Sequence, residues 1–260
     1  MAGWVVLLLL VAYVSVRRDA PTVREQRDVA AAMPVLRQAL GRLLTGAENS
    51  AVVEIDGPRL EPGCRITPLR DGANLVGSVT LRTAEAEAPA LLDRIAEQLP
   101  TEYEARVRHR PESGTHTLRA DGGEFVAIAG GVTDPGTIRL TAETGCRPNP
   151  SGTTVVGTLL GLPIDVEPGR VLAALGLPPD GKMDRDGPLT CGPGRSAQTV
   201  RLTVPGLPTM PLGATLRTFA GPEATVVADQ PTLYAYRTPA LSVVVTLTDT
   251  TTHVATTNCA

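Results

Sequence analysis

Aromatic residues are scarce: one Trp, four Tyr and two Phe in 260 residues. That excludes an extended stacking platform for bases or sugars. Lysine is nearly absent, Lys182 being the single one among 24 basic residues, and 27 acidic residues leave a net charge of −3. A net-acidic chain lacks the clustered basic charge that a nucleic-acid backbone demands, so no nucleic-acid partner is expected. Three histidines leave few candidates for a general base, and no G-x-S-x-G nucleophile motif occurs. The four cysteines form no C-x-x-C pair and no Cys/His cluster with zinc spacing. Gly and Pro together stay below the level of low-complexity chains, so the protein is globular.

Three motif-like stretches fail on inspection. Gly176 to Lys182 has phosphate-loop spacing, but Met183 follows where Ser or Thr must hold magnesium, and no helix follows. Gly192-Pro-Gly194-Arg-Ser-Ala197 mimics a dinucleotide fingerprint ahead of a strand rather than a helix. Asp184-Arg-Asp186-Gly187 hints at a calcium loop, yet Lys182 occupies the place of the first acidic ligand; the segment reads as a turn. No cofactor is expected.

What the sequence does have begins with Ala2 to Val16, an uninterrupted apolar run of 15 residues. As a helix it spans about 22 Å, short of a ~30 Å hydrocarbon core. The expectation is an uncleaved membrane anchor through residues 2–16, with a cleaved secretion signal as the alternative. Arg17, Arg18, Arg24 and Arg27 follow the run, which by itself would place the bulk of the chain in the cytoplasm. Four widely spaced cysteines argue the opposite, an oxidising extracytoplasmic compartment, and decide the expectation.

The cysteines belong to an internal echo. PVLRQALG (34–41), Cys64, SVTLRT (78–83) and a last strand reaching Cys146 are followed by GRVLAALG (169–176), Cys191, TVRLTV (199–204) and a last strand reaching Cys259. A duplicated unit predicts the pairing Cys64–Cys146 and Cys191–Cys259. Residues 1–27 then form the anchor and a short linker, 28–148 a first unit and 149–260 a second, each with its own staple. Apolar periodicity places helices on Met33, Leu36, Leu40, Leu43 and Leu44 and on Leu91, Leu92, Ile95 and Leu99, with only a short helix at Val171–Leu175 in the second unit. Alternating stretches flank them without βαβ order. The fold class is α+β: two related units, each an antiparallel sheet with one or two helices.

One hairpin carries enough detail to fix its register. If Pro111 to Gly114 form the loop, His109 faces His116 and Val107 faces Leu118, apolar against apolar. The other face then collects Arg106, Arg108, Arg110 and Arg119. This arginine face is a candidate anion site, though a solvated sheet face is the simpler account. The facing pair His109 and His116 is a weak candidate for a metal, with no third ligand assured beyond nearby Glu112, and no metal is expected.

GCRITPLRDG (63–72), PALLDRIAEQLP (89–100), RADGGEFVAIAG (119–130) and TAETGCRP (141–148) together resemble a recurrent group of uncharacterised envelope proteins of high-GC Gram-positive bacteria. The resemblance implies location and fold and transfers no catalytic residue; the second unit departs from it in lacking the long second helix. The expected function is a membrane-tethered extracytoplasmic module that binds an envelope component or a protein. A secreted hydrolase or transferase with a site between the units is the alternative. A deep carboxylate- and His-lined cleft would mark the second, a shallow arginine-lined face the first.

Overall fold

The computed structural model describes residues 3, 4, 11, 27–47, 50–150, 152 and 167–259. The anchor expected at 2–16 lies outside the described residues except at three positions. No helix among the described residues is long and apolar enough to cross a membrane.

Helix α1 (Val29–Ala47) opens on Asp28, whose carboxylate accepts the Ala31 N–H at 2.8 Å and caps the first turn. Its buried Val29, Ala32, Leu36, Ala39, Leu40, Leu43 and Ala47 recur every three or four residues and form one stripe. Helix α2 (Ala88–Gln98), with Pro89 in its first turn, buries Leu91, Leu92 and Ile95. Both helices cover one face of a six-stranded antiparallel sheet: β1 (Val52–Thr67), β2 (Arg70–Arg82), β3 (Arg106–Arg110), β4 (Thr115–Asp121), β5 (Ala127–Asp134) and β6 (Thr137–Arg147). Its strand order is β1-β2-β6-β5-β4-β3.

The second unit repeats that plan. Strands β7 (Lys182–Gly192), β8 (Arg195–Pro205), β9 (Thr225–Gln230), β10 (Leu233–Arg237), β11 (Leu241–Leu247) and β12 (Thr251–Cys259) are ordered β7-β8-β12-β11-β10-β9, the first order shifted by six. In each unit a disulfide ties the first strand to the last, Cys64–Cys146 and Cys191–Cys259, and no cysteine is free. Helices α3 (Glu167–Ala174) and α4 (Leu212–Ala220) cover one face of this sheet through Val171, Leu172, Leu212 and Leu216 on Leu202, Val204, Tyr234 and Tyr236. Burial pushes the Tyr236 hydroxyl up to about 12.

Two sequence readings are corrected. The second unit does have a helix between its second and third strands: α4, which Gly213 and two threonines make a weak helix former, is held by tertiary packing of Leu212 and Leu216. The segment around Asp184–Gly187 is part of β7, not a turn; a register break between Asp186 and Leu189 lets the sheet absorb Gly187 and Pro188. Strand β5 begins at Ala127 because Gly123, Glu124 and Phe125 all adopt left-handed φ (85°, 51° and 62°) and fold a tight turn.

The units are not merely strung together. Gly41 of α1 lets the helix lie on β7, since a Cβ there would sit 2.6 Å from the Thr190 carbonyl oxygen. Leu189, Cys191 and Ala197 of the second unit bury into the same core as α1. Strand β1 lies on the face of the second sheet away from α3 and α4, where Val52 packs on Ala235, Val244 and Ala255.

Candidate anion-binding face

The β3–β4 hairpin has the register that its alternation predicts. Arg106 pairs with Arg119, Val107 with Leu118, Arg108 with Thr117, His109 with His116 and Arg110 with Thr115. Pro111–Ser113 form one tight helical turn, and Gly114 closes it at φ 62°, where a side chain would be strained. Leu118 is fully buried and Val107 packs on the same core, so the arginines point away from the helices.

On the helix side the two histidines meet. Nδ1 of His109 lies 2.7 Å from Nδ1 of His116, and Nε2 of His109 lies 2.9 Å from Asp93 Oδ1 on α2. A single proton can bridge the two Nδ1 atoms, with the His109 Nε2–H donating to Asp93. These contacts use both nitrogens of His109, one tying edge strand β3 to β4 and the other clamping it to α2. The third partner is Asp93, not Glu112; its place on a helix turn 16 residues away gave no sequence signal. Among the described residues, no group of three or more His, Cys, Asp or Glu is placed to hold a metal. His253 bridges Thr203 and Thr251 at 2.9 Å each, a structural role.

The opposite face of the first sheet is polar along its whole width. One row crosses the strands as Arg106, Arg119, Ala129, Thr141, Ser78 and Asp56; the next runs Arg108, Thr117, Gly131, Arg139, Thr80 and Glu54. The small side chains of Ala129 and Gly131 leave a trough along β5, walled by Thr117 and Arg119 on one side and Arg139 and Thr141 on the other. This depression measures about 420 Å³. It continues into one of about 500 Å³ between Arg106, Arg108, Arg110, Thr115, Thr117 and Arg119.

Charge on this face is unevenly compensated. Towards the second unit, Arg82 meets Glu54 at 3.0 Å and Arg139 meets Asp56 at 2.7 Å. Arg106 has only a distant Glu104 at 3.9 Å, and among the described residues Arg108, Arg110 and Arg119 have no carboxylate partner. Arg139 is the residue that sequence reasoning missed: 20 positions from Arg119, it reaches the same trough only because β5 pairs with both β4 and β6.

No family model matches the chain, and no curated protein matches it. Among solved structures it is similar to a DUF4853 family protein from Actinomyces odontolyticus, at 13% identity and a TM-score of 0.37 over 66% of this chain and 92% of the other.

The junction between the units has a different character. Arg201 donates to Glu54 at 2.9 Å, to Asp56 at 2.8 Å and to Asp186. Burial by itself would lower the Arg201 pKa, but the three carboxylates together raise it. Asp186 is also raised: burial disfavours its charge more than Arg201 and the Gly57 N–H favour it, and Asp56 adds repulsion. The cavity beside this junction is about 80 Å³, lined by Leu44, Val53, Arg195, Arg237, Ser242 and Thr257 among others, with no His or carboxylate among the described residues of its wall.

Proposed function

We propose that this protein is a membrane-tethered extracytoplasmic binding module that holds an anionic ligand on the arginine face of its first sheet. The observation that carries this reading is that Arg108, Arg110 and Arg119 have no carboxylate partner among the described residues. On the same face Arg82 and Arg139 have carboxylates in reach, and the chain as a whole is acidic, so partners were available in the composition. Guanidinium is weakly hydrated and presents a fork of donors, suited to carboxylate or phosphate oxygens. Two disulfides that staple equivalent strands support the extracytoplasmic part of the reading. The hydrolase or transferase alternative needs a cleft with an acid and a base between the units; the junction cavity offers neither.

The test is salt-dependent binding of the full chain to an anionic polymer, with polyphosphate as probe and a cationic polymer as control. Binding should weaken as salt rises past about 0.1 M, where the Debye length shrinks to about 10 Å. Combined Arg108→Gln and Arg119→Gln should abolish it. Binding that ignores both salt and these substitutions would overturn the reading.

A further inference from the structure

The duplication places a known occupant on one of two equivalent faces. In the second unit the corresponding row runs Asp186, Thr199, Thr257, Ser242 and Arg237 across β7, β8, β12, β11 and β10. Strand β1 lies along this row with its free edge turned towards it. The Val53 N–H donates to Ser242 Oγ at 3.0 Å, the Ile55 N–H to Thr199 Oγ1 at 2.8 Å and the Gly57 N–H to Asp186 Oδ1 at 3.0 Å. Arg201 donates to the Ile55 carbonyl at 2.7 Å and holds the acidic side chains of Glu54 and Asp56. An extended segment with acids two positions apart is thus bound across a sheet by hydroxyls, one carboxylate and one arginine.

The first unit has the same row on its open face. By strand register Ser78 stands where Thr199 stands, Thr141 where Thr257 stands, Arg119 where Arg237 stands and Asp56 where Asp186 stands; Ala129 replaces Ser242. The neighbouring row adds Arg108, Thr117 and Arg139. Both faces therefore offer hydroxyls to a backbone and guanidiniums to acids, and the first is the richer in arginine.

We infer that the open face of the first sheet receives an extended acidic polypeptide segment lying across the strands, as β1 lies across the second sheet. This inference rests on the anion-binding reading above and names its ligand. A peptide fits better than a phosphate polymer for a specific reason. Ser78 is buried and bonded to Asp56, but the Thr117 and Thr141 hydroxyls on the walls of the trough can accept backbone N–H groups, as Thr199 does, whereas a polyphosphate supplies no donor. A second copy of the chain is not the source through its β1, because that edge is already seated on its own second sheet. The segment belongs to a partner protein with alternating acidic and apolar residues.

The probe is a labelled synthetic peptide with the sequence of residues 50–58, titrated into the full chain by fluorescence anisotropy. Binding is expected, weakened about tenfold or more by Arg119→Gln in the protein, the loss of one charge-assisted contact. The same peptide carrying Glu54→Gln and Asp56→Asn should bind more weakly still. Polyphosphate binding without peptide binding would overturn this inference and leave the anion-binding reading standing. Failure of both probes would overturn both. Peptide binding that is indifferent to Arg119→Gln would mean displacement of β1 on the second sheet, and would also overturn it.

Discussion

Gly131 shows how tightly a single position can be constrained at the trough. A Cβ there would lie 2.0 Å from the His116 carbonyl oxygen and 2.9 Å from the Thr117 Cα, both backbone atoms of β4 that cannot rotate away. Gly131→Ala should therefore push β4 outward and destabilise the protein by about 1–3 kcal/mol, the usual penalty of overpacking. Because β4 carries Arg119, the same substitution should weaken anion binding. Gly169→Ala is the control, since its Cβ would sit 3.7 Å from Pro179 in ordinary contact. Equal urea midpoints for the two variants would contradict the close approach. The hairpin residues themselves were legible: alternation and a four-residue loop suffice to put His109 opposite His116 and four arginines on the other side. Asp93 and Arg139 were not, because each reaches its place through a neighbouring element rather than through its own strand.

Among the elements, the first and last strands of each unit carry the staples. Cys64–Cys146 closes a separation of 82 residues and Cys191–Cys259 one of 68. In the chain-entropy account, loops of this length contribute about 4–5 kcal/mol each by restricting the unfolded state. Replacing either pair with alanine should lower the melting temperature by many degrees, and reducing agent should do the same to the intact protein; a reduced form that melts with the oxidised one would contradict the staples. The disulfide pairing was legible because it follows from a repeat in the sequence. Helix α4 was hidden by its own composition, and β7 by a Gly-Pro step that a register break accommodates. Local propensity fails at both for the same reason, that neighbours in space outweigh it.

For the whole molecule, the decisive feature is the seat of β1 on the second sheet. An edge strand exposes unpaired N–H groups, and here alternate ones are satisfied by Ser242, Thr199 and Asp186. The raised pKa of Asp186 gives this junction a pH signature. The native state holds the Asp186 proton more tightly than the unfolded chain, so between the unfolded and the raised folded pKa the native state binds more protons. In that window, from about pH 4 upward, this group's contribution to stability falls as pH rises. Asp186→Asn keeps an oxygen for the Gly57 N–H and removes the titration. Its stability relative to the wild type should therefore improve with rising pH across the window and then level off, read from urea midpoints in a pH series. A difference that is flat with pH would contradict the burial of that charge.

The sequence by itself determined the α+β class, the duplication, the cysteine pairing and which side of the β3–β4 hairpin each residue occupies. All of these depend on short-range periods, on a turn, or on repetition within the chain. Only the tertiary structure decided that Arg139 joins Arg119 across β5, that Asp93 clamps His109, and that β1 crosses the second sheet. Those depend on strand order and on packing between residues far apart in the chain, such as Ile55 and Thr199, 144 positions apart. A hydroxyl accepting a backbone N–H leaves no periodic mark in either segment, so the contact exists only once both sheets have formed.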